Sequence, residues 1–436
     1  MDSDMLSGFL EMLYIVNILF SVLIIFYERK NSSETLAWIL VLFFIPYFGF
    51  FLYLAIGFDG RKHLVFSDKN KSDEWLFNEY LKLSFYSNDE SSSENQISRL
   101  SMRNILNIPG TEKLNDLIYL NYISGDGILT TNNEIDVYFD GNKKFEQLLG
   151  DIASANEFIH MEYYILRNDG LGRQIISALA LAAARGVEVK LIIDGMGCNF
   201  TPKRIFKPLI KAGGKLGIFL PPFLARINYR DHRKLCVIDG KKGYIGGFNI
   251  GDEYLGKVKR FGNWKDTHIR IKGSAVSQLE LRFIMDWNFC SDDKLTLSIR
   301  YFKQHAPLKT GMKMQIISSG PDTTWANIKY SYFKMINEAE KSIYIETPYF
   351  VPDESILEAL RIQSLAGIDV RIIIPGNPDH FFVYGASLSY LGQLLGAGVK
   401  CYQYKNGFIH SKLLMVDGLI TSVGTANMDI RSFELN

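Results

Sequence analysis

Apolar and polar positions fall into three regimes along this chain. In the first, apolar residues run almost without interruption. Met12 to Tyr27 is uncharged, preceded by Glu11 and a further apolar patch from Met5 to Leu10, and Thr35 to Phe58 carries no charge at all. A helix needs roughly 20 such residues to cross a bilayer, so the pattern predicts two N-terminal transmembrane helices within residues 1–60. The acidic start, Met1-Asp2-Ser3-Asp4, and the second apolar run that follows at once do not fit a cleaved signal peptide. Pro46 and Gly49 are tolerated inside membranes, and Trp38, Tyr47 and Tyr53 suit their interfaces. The second regime, 61–117, is a connector with some helix, and its polar stretch Ser87 to Gln96 reads as a solvated loop.

From 118 onward the pattern changes to short apolar runs separated by helix-like stretches, and it repeats. Phe158 to Ile165 parallels Ile343 to Phe350, Gly186 to Ile193 parallels Gly367 to Ile374, and Leu209 to Gly213 parallels Leu394 to Gly398. Each copy reads strand, helix, strand, helix, short strand, loop, then a His-containing segment and a strand. Alternating strands and helices predict an α/β sheet covered by helices, and near-continuous apolar strands predict burial on both faces. The expected architecture is α/β: two repeated sandwich halves, 118–305 and 306–436, related by a pseudo-two-fold axis. The chain stops at Asn436, where a half matching the first would continue for another strand and helix, so the second half is expected to be truncated.

Each copy ends in the same chemistry. His232-Arg233-Lys234 leads to Asp239, and His410-Ser411-Lys412 leads to Asp417; both are H-x-K-x-x-x-x-D running into an apolar strand. A small-residue turn closing on Asn follows each: Gly246-Gly247-Phe248-Asn249 and Gly424-Thr425-Ala426-Asn427. The His-to-Asn spacing is 17 in both (249 − 232 and 427 − 410). One such motif recurs by chance; two with matching asparagines imply one shared site, with the motifs meeting in a single cleft.

Composition narrows the chemistry. A net charge of +1 gives no electrostatic argument for a nucleic-acid partner. The four cysteines, Cys198, Cys236, Cys290 and Cys401, show no metal-type spacing and read as free thiols on a reducing-side protein. No clustered ligand set calls for a metal, no cofactor is implied, and no phosphate-binding G-x-x-x-x-G-K-[ST] loop is present. Lys and Arg counts around the apolar runs, four at Arg61, Lys62, Lys69 and Lys71 against two at Arg29 and Lys30, favour a cytoplasmic catalytic domain.

Two histidines and two lysines suit phosphoryl transfer. One His attacks phosphorus; the other protonates the departing alkoxide, then deprotonates the incoming alcohol or water. Lys234, Lys412, Asn249 and Asn427 supply donors to the phosphate oxygens. Asp239 and Asp417 belong to the motif and so to the candidate catalytic set, although their place beyond a strand points to a turn-fixing or charge-pairing role. Asp266 is expected to orient His232, which favours His232 as the nucleophile; the matching acid of the second half is expected to be Glu434 or a residue beyond the chain end. Glu162 and Glu346 either line the cleft or satisfy backbone groups, and His160 and His268 read as core histidines.

The duplicated motif with trailing Asn resembles the phospholipase D superfamily. Gly243 to Gly256, Thr347 to Asp353 and Asn427 to Asn436 resemble the wording of bacterial cardiolipin synthases, as do the paired apolar runs around Glu28-Arg29-Lys30-Asn31. The resemblance covers the chain except the loop near 87–96. It implies a multi-pass protein of the bacterial cell membrane that joins two phosphatidylglycerols into cardiolipin through a phosphohistidine and releases glycerol. Its partners are then phosphatidylglycerol and cardiolipin. Hydrolysis, with water in place of the alcohol, is the alternative in the same site. Phe219 to Leu224 and Phe381 to Tyr384 are candidate apolar rim loops for acyl chains.

Overall fold

The computed structural model describes residues 3–27, 32–53, 57, 60–86, 111–220, 229–303, 305, 308 and 310–434. The chain forms two compact units, one built on residues 1–68 and the other on 69–222 and 229–436. The predicted loop at 87–96, the basic pair Arg29-Lys30 and residues 221–224 lie outside the described residues.

In the first unit, α1 (Ser3–Tyr27) is followed by α2 (Ser32–Phe44) and α3 (Pro46–Leu52). The second apolar run is therefore not one straight helix. Pro46 has no N–H to continue a helix, and Ile45 leaves helical geometry at φ −129°, ψ 61°. Past this break α3 folds back along α2. Trp38 and Tyr53 meet edge to face at 5.2 Å, whereas fifteen steps of straight helix would separate them by about 22 Å. Gly49 lies against the Val41 carbonyl, where a Cβ would sit at 2.8 Å. Asn17 Nδ2 of α1 donates to the Leu42 carbonyl at 3.1 Å, and Phe20 meets Phe50 at 5.0 Å. Among the described residues no helix is long and apolar enough to cross a membrane.

In the second unit the strands are β1 (Thr130–Asp140), β2 (Phe158–Tyr163), β3 (Glu188–Asp194), β4 (Lys215–Phe219), β5 (Lys234–Ile238), β6 (Lys242–Gly246), β7 (Trp264–Lys272) and β8 (Met312–Met314). Then follow β9 (Ser342–Glu346), β10 (Phe350–Val351), β11 (Asp369–Pro375), β12 (Lys400–Tyr404), β13 (Phe408–Ile409), β14 (Leu413–Val416), β15 (Ile420–Val423) and β16 (Met428–Asp429). The first sheet runs β4-β3-β2-β5-β6-β7-β1-β8, with β13 added on β7; the second runs β12-β11-β9-β14-β15. The repeat holds to the register: Glu162 pairs with Leu235 across β2–β5, and Glu346 with Leu413 across β9–β14.

Strand β2 shows why its sequence is apolar throughout. Ile159 and Met161 pack with Phe145, Leu148 and Ile175 of the helices Gly141–Ala153 and Gly170–Ala184. The alternate residues face the helix Ala275–Cys290, whose Phe283 stacks on His160 at 4.5 Å. Successive strand residues point to opposite faces, and here both faces are covered. His160 is also held by Glu280 (2.7 Å) and Glu188 (3.2 Å), which makes it a core residue, as the sequence indicated. His268 is likewise buried and outside the catalytic cluster.

The halves interlock. β8, from the segment assigned to the second half, pairs with β1 of the first sheet. β13 pairs with β7, and Leu117 of the helix Asn115–Gly125 joins the second half's core with Tyr332 and Ile336. α4 (Gly60–Tyr86) adds Lys69, which sits buried among Asp73 (2.6 Å), Asp286 (3.0 Å) and Asp322 (2.6 Å). Asp286 also meets Arg233 of the first motif at 3.3 Å.

Candidate active site

Parallel strands end where the site begins. Lys234 opens β5 opposite Tyr163, the last residue of β2. The second His arrives by another route. β13 lies parallel to the start of β7, Phe408 beside Trp264, and the His410 N–H donates to the Lys265 carbonyl at 2.7 Å. One residue further along β7 is Asp266, so strand pairing delivers His410 to a carboxylate of the other half.

Each histidine is thus held by the half it does not belong to. His410 Nδ1 lies 2.7 Å from Asp266 Oδ2. His232 Nδ1 lies 3.0 Å from the carbonyl oxygen of Thr425, in the second half's small-residue turn. The expectation that Asp266 orients His232 is therefore corrected. The pairing of β13 with β7 is a long-range contact that no local spacing reports. A carbonyl and a carboxylate only accept, so Nδ1 carries the proton in both rings and Nε2 keeps its lone pair. Lys412 Nζ also lies 2.7 Å from His410 Nδ1; with Nδ1 donating to Asp266, this ammonium acts by its charge and donates to the His410 carbonyl.

The electrostatics favour neutral rings. Burial and then the charges of Lys234, Lys412 and His410 hold His232 well below the ordinary histidine range. Burial and Lys412 lower His410 to about 4, against the upward pull of Asp266. Burial lowers Lys412 to about 8 despite Asp266, and burial and Lys412 push Lys234 well down. These are buried cations without enough counter-charge, the condition an anionic phosphodiester relieves. Lys234 Nζ donates to the His232 carbonyl at 2.6 Å and lies 5.0 Å from the centre of the Tyr164 ring.

The turn after β6 shows why it needs two glycines. A Cβ on Gly247 would sit 1.9 Å from Asp266 Oδ1, and Gly246 takes φ 155° against His268. The turn then places Asn249, whose Oδ1 accepts from Ile165 N (3.2 Å) and whose Nδ2 donates to the Tyr254 hydroxyl (2.9 Å). Asn427 is buried, and its Oδ1 has no partner among the described residues.

The motif aspartates are corrected from the catalytic set to a structural role. Asp239 and Asp417 both take left-handed backbone, φ 54° and 56°. Asp239 accepts from the N–H groups of Asn156, Glu157 and Phe158, and Asp417 from those of Glu340, Lys341 and Ser342. Each fastens the end of its motif strand to the start of the central strand, far from the histidines along β5 and β14.

Glu162 is fully buried beneath the site and does not line it. Burial, then Asp231 and Asp286, raise its carboxyl well above the ordinary range. Glu346 is half-buried. Glu434 ends the helix Ile430–Glu434 and is exposed, while the orienting acid actually seated on a histidine is Asp266. Of the rim candidates, Phe219 and Leu220 are buried, and Phe381 to Tyr384 is the first turn of the helix Phe381–Leu395 rather than a loop.

Three participants were missed. Thr425 acts through its carbonyl, which carries no residue-type signature. Tyr164 packs on His232 at 4.7 Å; its place one residue beyond β2 was the available signal. Asp194, at the end of β3, accepts from the N–H of Asp231 at 2.8 Å and so fixes the approach to His232.

Known proteins are similar to this chain. Residues 148–287 and 332–436 match a family model described as "Cardiolipin synthase, PLD-like domain", and residues 15–57 one described as "Phospholipase_D-nuclease N-terminal". The chain is 46% identical over 440 residues to a cardiolipin synthase of Listeria innocua serovar 6a, covering 99% of this chain and 88% of the relative. It is 46% identical over 437 residues to the major cardiolipin synthase ClsA of Bacillus subtilis (strain 168), with the same shares covered. In fold it is similar to the crystal structure of phosphatidylserine synthase from Haemophilus influenzae Rd KW20, with TM-score 0.54, 13% identity, and 73% and 84% of the two chains covered. With two interlocked α/β halves, a duplicated H-x-K motif and close relatives along nearly its whole length, the chain belongs to the cardiolipin synthase family of the phospholipase D superfamily.

Proposed function

We propose that this chain transfers a phosphatidyl group from one phosphatidylglycerol to another, giving cardiolipin and glycerol. The observation that carries the reading is the reciprocal hold on the two histidines: Thr425 of the second half on His232, Asp266 of the first on His410. It brings two imidazoles and two lysines into one buried site.

His232 is the nucleophile. The carbonyl partner fixes its tautomer, and burial with the charges of Lys234 and Lys412 outweighs the pull of that carbonyl toward the cation, so it stays neutral and ready to attack. His410 is the acid and base, because its carboxylate partner stabilises an imidazolium by charge as well as by hydrogen bond, which a carbonyl does not. In the first step the His232 Nε2–P bond forms and the P–O bond to glycerol breaks. The leaving oxygen takes a proton from His410 Nε2. In the second step His410 removes the hydroxyl proton from a second phosphatidylglycerol, whose oxygen attacks phosphorus and displaces His232. Lys234 and Lys412 bind the phosphate oxygens, with Asn427 beside them. The arriving negative charge offsets the lysine charges that depress His410, so the acid gains its proton when substrate binds.

The test uses phosphatidylglycerol labelled in phosphorus. With a phosphorus-labelled phosphatidyl ester whose leaving group needs no proton, such as the p-nitrophenyl ester, His410→Ala accumulates label on the protein and His232→Ala does not; the reverse pattern assigns the roles the other way. Phosphatidic acid without cardiolipin refutes transfer in favour of hydrolysis.

The N-terminal unit supports a place in the bacterial cell membrane. In the sequence the positive charges Arg61, Lys62, Lys69 and Lys71 after the apolar runs outnumber Arg29 and Lys30 between them, while the N-terminal tail has none. That imbalance favours a cytoplasmic catalytic domain. A membrane-impermeant thiol reagent tests it: a cysteine placed on the surface of the catalytic unit is labelled only after lysis.

A further inference from the structure

The segments that follow equivalent strands of the two halves carry the same combination of exposed phenylalanine and exposed cations. β3 and β11 correspond, each lying parallel beside the central strand of its sheet. After β3 comes Phe200, 87% exposed; after β11 come Phe381 and Phe382, 79% and 89% exposed. Full exposure of a phenyl ring has a hydration cost that scattered surface leucines share only in part, and here it recurs at symmetry-equivalent positions.

Both lips are tied to the catalytic motifs. Asp194 accepts from Met196 N (2.9 Å) and Gly197 N (2.7 Å) within the first lip, and from the N–H of Asp231, next to His232, at 2.8 Å. In the second, Asp379 accepts from the Tyr349 hydroxyl at 2.5 Å, and its charge reaches Lys412. The phenylalanines therefore stand at the mouth of the cleft.

Cations flank both. Lys203, Arg204 and Lys207 are exposed just beyond Phe200 and form no ion pair among the described residues. At the second lip Arg260 donates to the Asp379 carbonyl at 3.1 Å, which holds the exposed segment Lys259-Arg260 beside Phe381. Lys257, in the same segment, pairs with Asp252 at 3.6 Å. The Asp379 carboxylate, the nearest acid to the second lip, is engaged by Tyr349.

We infer that these two lips seat the mouth of the cleft on an anionic lipid surface, with Phe200, Phe381 and Phe382 entering the acyl boundary and the neighbouring cations meeting lipid phosphates. Apolar wedges ringed by cations are the composition an anionic bilayer selects. The occupant rests on phosphatidyl transfer as the reaction, since an anionic two-chain substrate brings such a surface with it. Two lips about one pseudo-two-fold let both substrates rise into the cleft without leaving the bilayer.

The test uses the full chain in a Cys290→Ser, Cys401→Ser background, with an environment-sensitive thiol dye at Phe200→Cys, Phe382→Cys or Leu365→Cys. Leu365 is 68% exposed but sits at the end of the helix leading into β11, away from the mouth. In vesicles of phosphatidylglycerol and phosphatidylcholine, the dyes at 200 and 382 brighten and are quenched by acyl-chain spin labels, while that at 365 stays in water. Lys203→Glu with Arg204→Glu weakens the response at 200, by about fivefold for each positive charge removed. Dyes at 200 and 382 that stay in water while vesicle phosphatidylglycerol is consumed overturn the inference. So does brightening that follows protein concentration without lipid, which would mean a second copy covers the lips. Cardiolipin formation from dispersed short-chain phosphatidylglycerol, read on the same samples, separates a failed surface from a failed reaction.

Discussion

Replacing Asp266 by Asn changes one oxygen to nitrogen, and the geometry says what that does. The buried carboxylate accepts from two donors: Thr267 N at 2.7 Å on Oδ1 and His410 Nδ1 at 2.7 Å on Oδ2. An amide has one acceptor to offer. If its oxygen stays on Thr267 N, its NH2 faces His410 and forces the proton onto Nε2, the atom that must accept one from the incoming alcohol. If it turns, two N–H groups confront each other at the Thr267 end. A hydrogen bond to a charged group is worth about 1.5–3 kcal/mol, roughly 10- to 150-fold in rate if expressed in the transition state. Enforcing the wrong tautomer deepens the loss toward about 10⁴, the effect known for carboxylate-to-amide exchange in a serine-protease triad. Asp266→Asn is therefore expected to lose 10²- to 10⁴-fold in kcat. KM for phosphatidylglycerol should be nearly unchanged, because the lysines remain. The assay is steady-state glycerol release, paired with nitrogen NMR of the His410 ring to read its tautomer. A variant within about threefold of the parent, with the proton still on Nδ1, would refute the role given to Asp266 and with it the assignment of His410 as acid and base.

Other perturbations separate site from scaffold. Lys412, lowered to about 8, is charged below that pH and neutral above it; kcat/KM should fall as pH rises through about 8, and Lys412→Arg should remove that limb from the pH profile. Asp417→Ala leaves three backbone N–H groups without their acceptor. It should cost about 2–3 kcal/mol in a denaturant titration, with turnover retained at temperatures where the protein stays folded. Lys69→Met strips the ammonium from among three carboxylates, and thermal or chemical unfolding should report a loss of about 3–5 kcal/mol.

The strands and their repeat were legible because buried parallel strands write their burial directly into sequence, and Glu162 and Glu346 occupy matching registers as the alignment of the two copies implied. The histidines and lysines were legible because the motif is duplicated. The partner of His410 was not. It depends on Phe408 lying beside Trp264, a pairing between segments 144 positions apart (408 − 264), and short strands leave no periodic signal. Asp239 and Asp417 were visible but their role was ambiguous until their left-handed backbone appeared, since side-chain identity alone does not distinguish a turn-fixing aspartate from a catalytic one. The break at Ile45 was masked because a bilayer-length apolar run looks the same whether straight or folded; Pro46 was the only sign of it.

The exchange of supports between halves has an evolutionary consequence. When a gene duplicates, its copies ordinarily drift apart, each free to decay while the other works. Here a substitution near Thr425 disturbs His232, and one near Asp266 disturbs His410. Neither copy has a private phenotype. Selection therefore acts on the pair as one heritable unit. A deleterious change in one copy would be rescued most readily by a compensating change in the other.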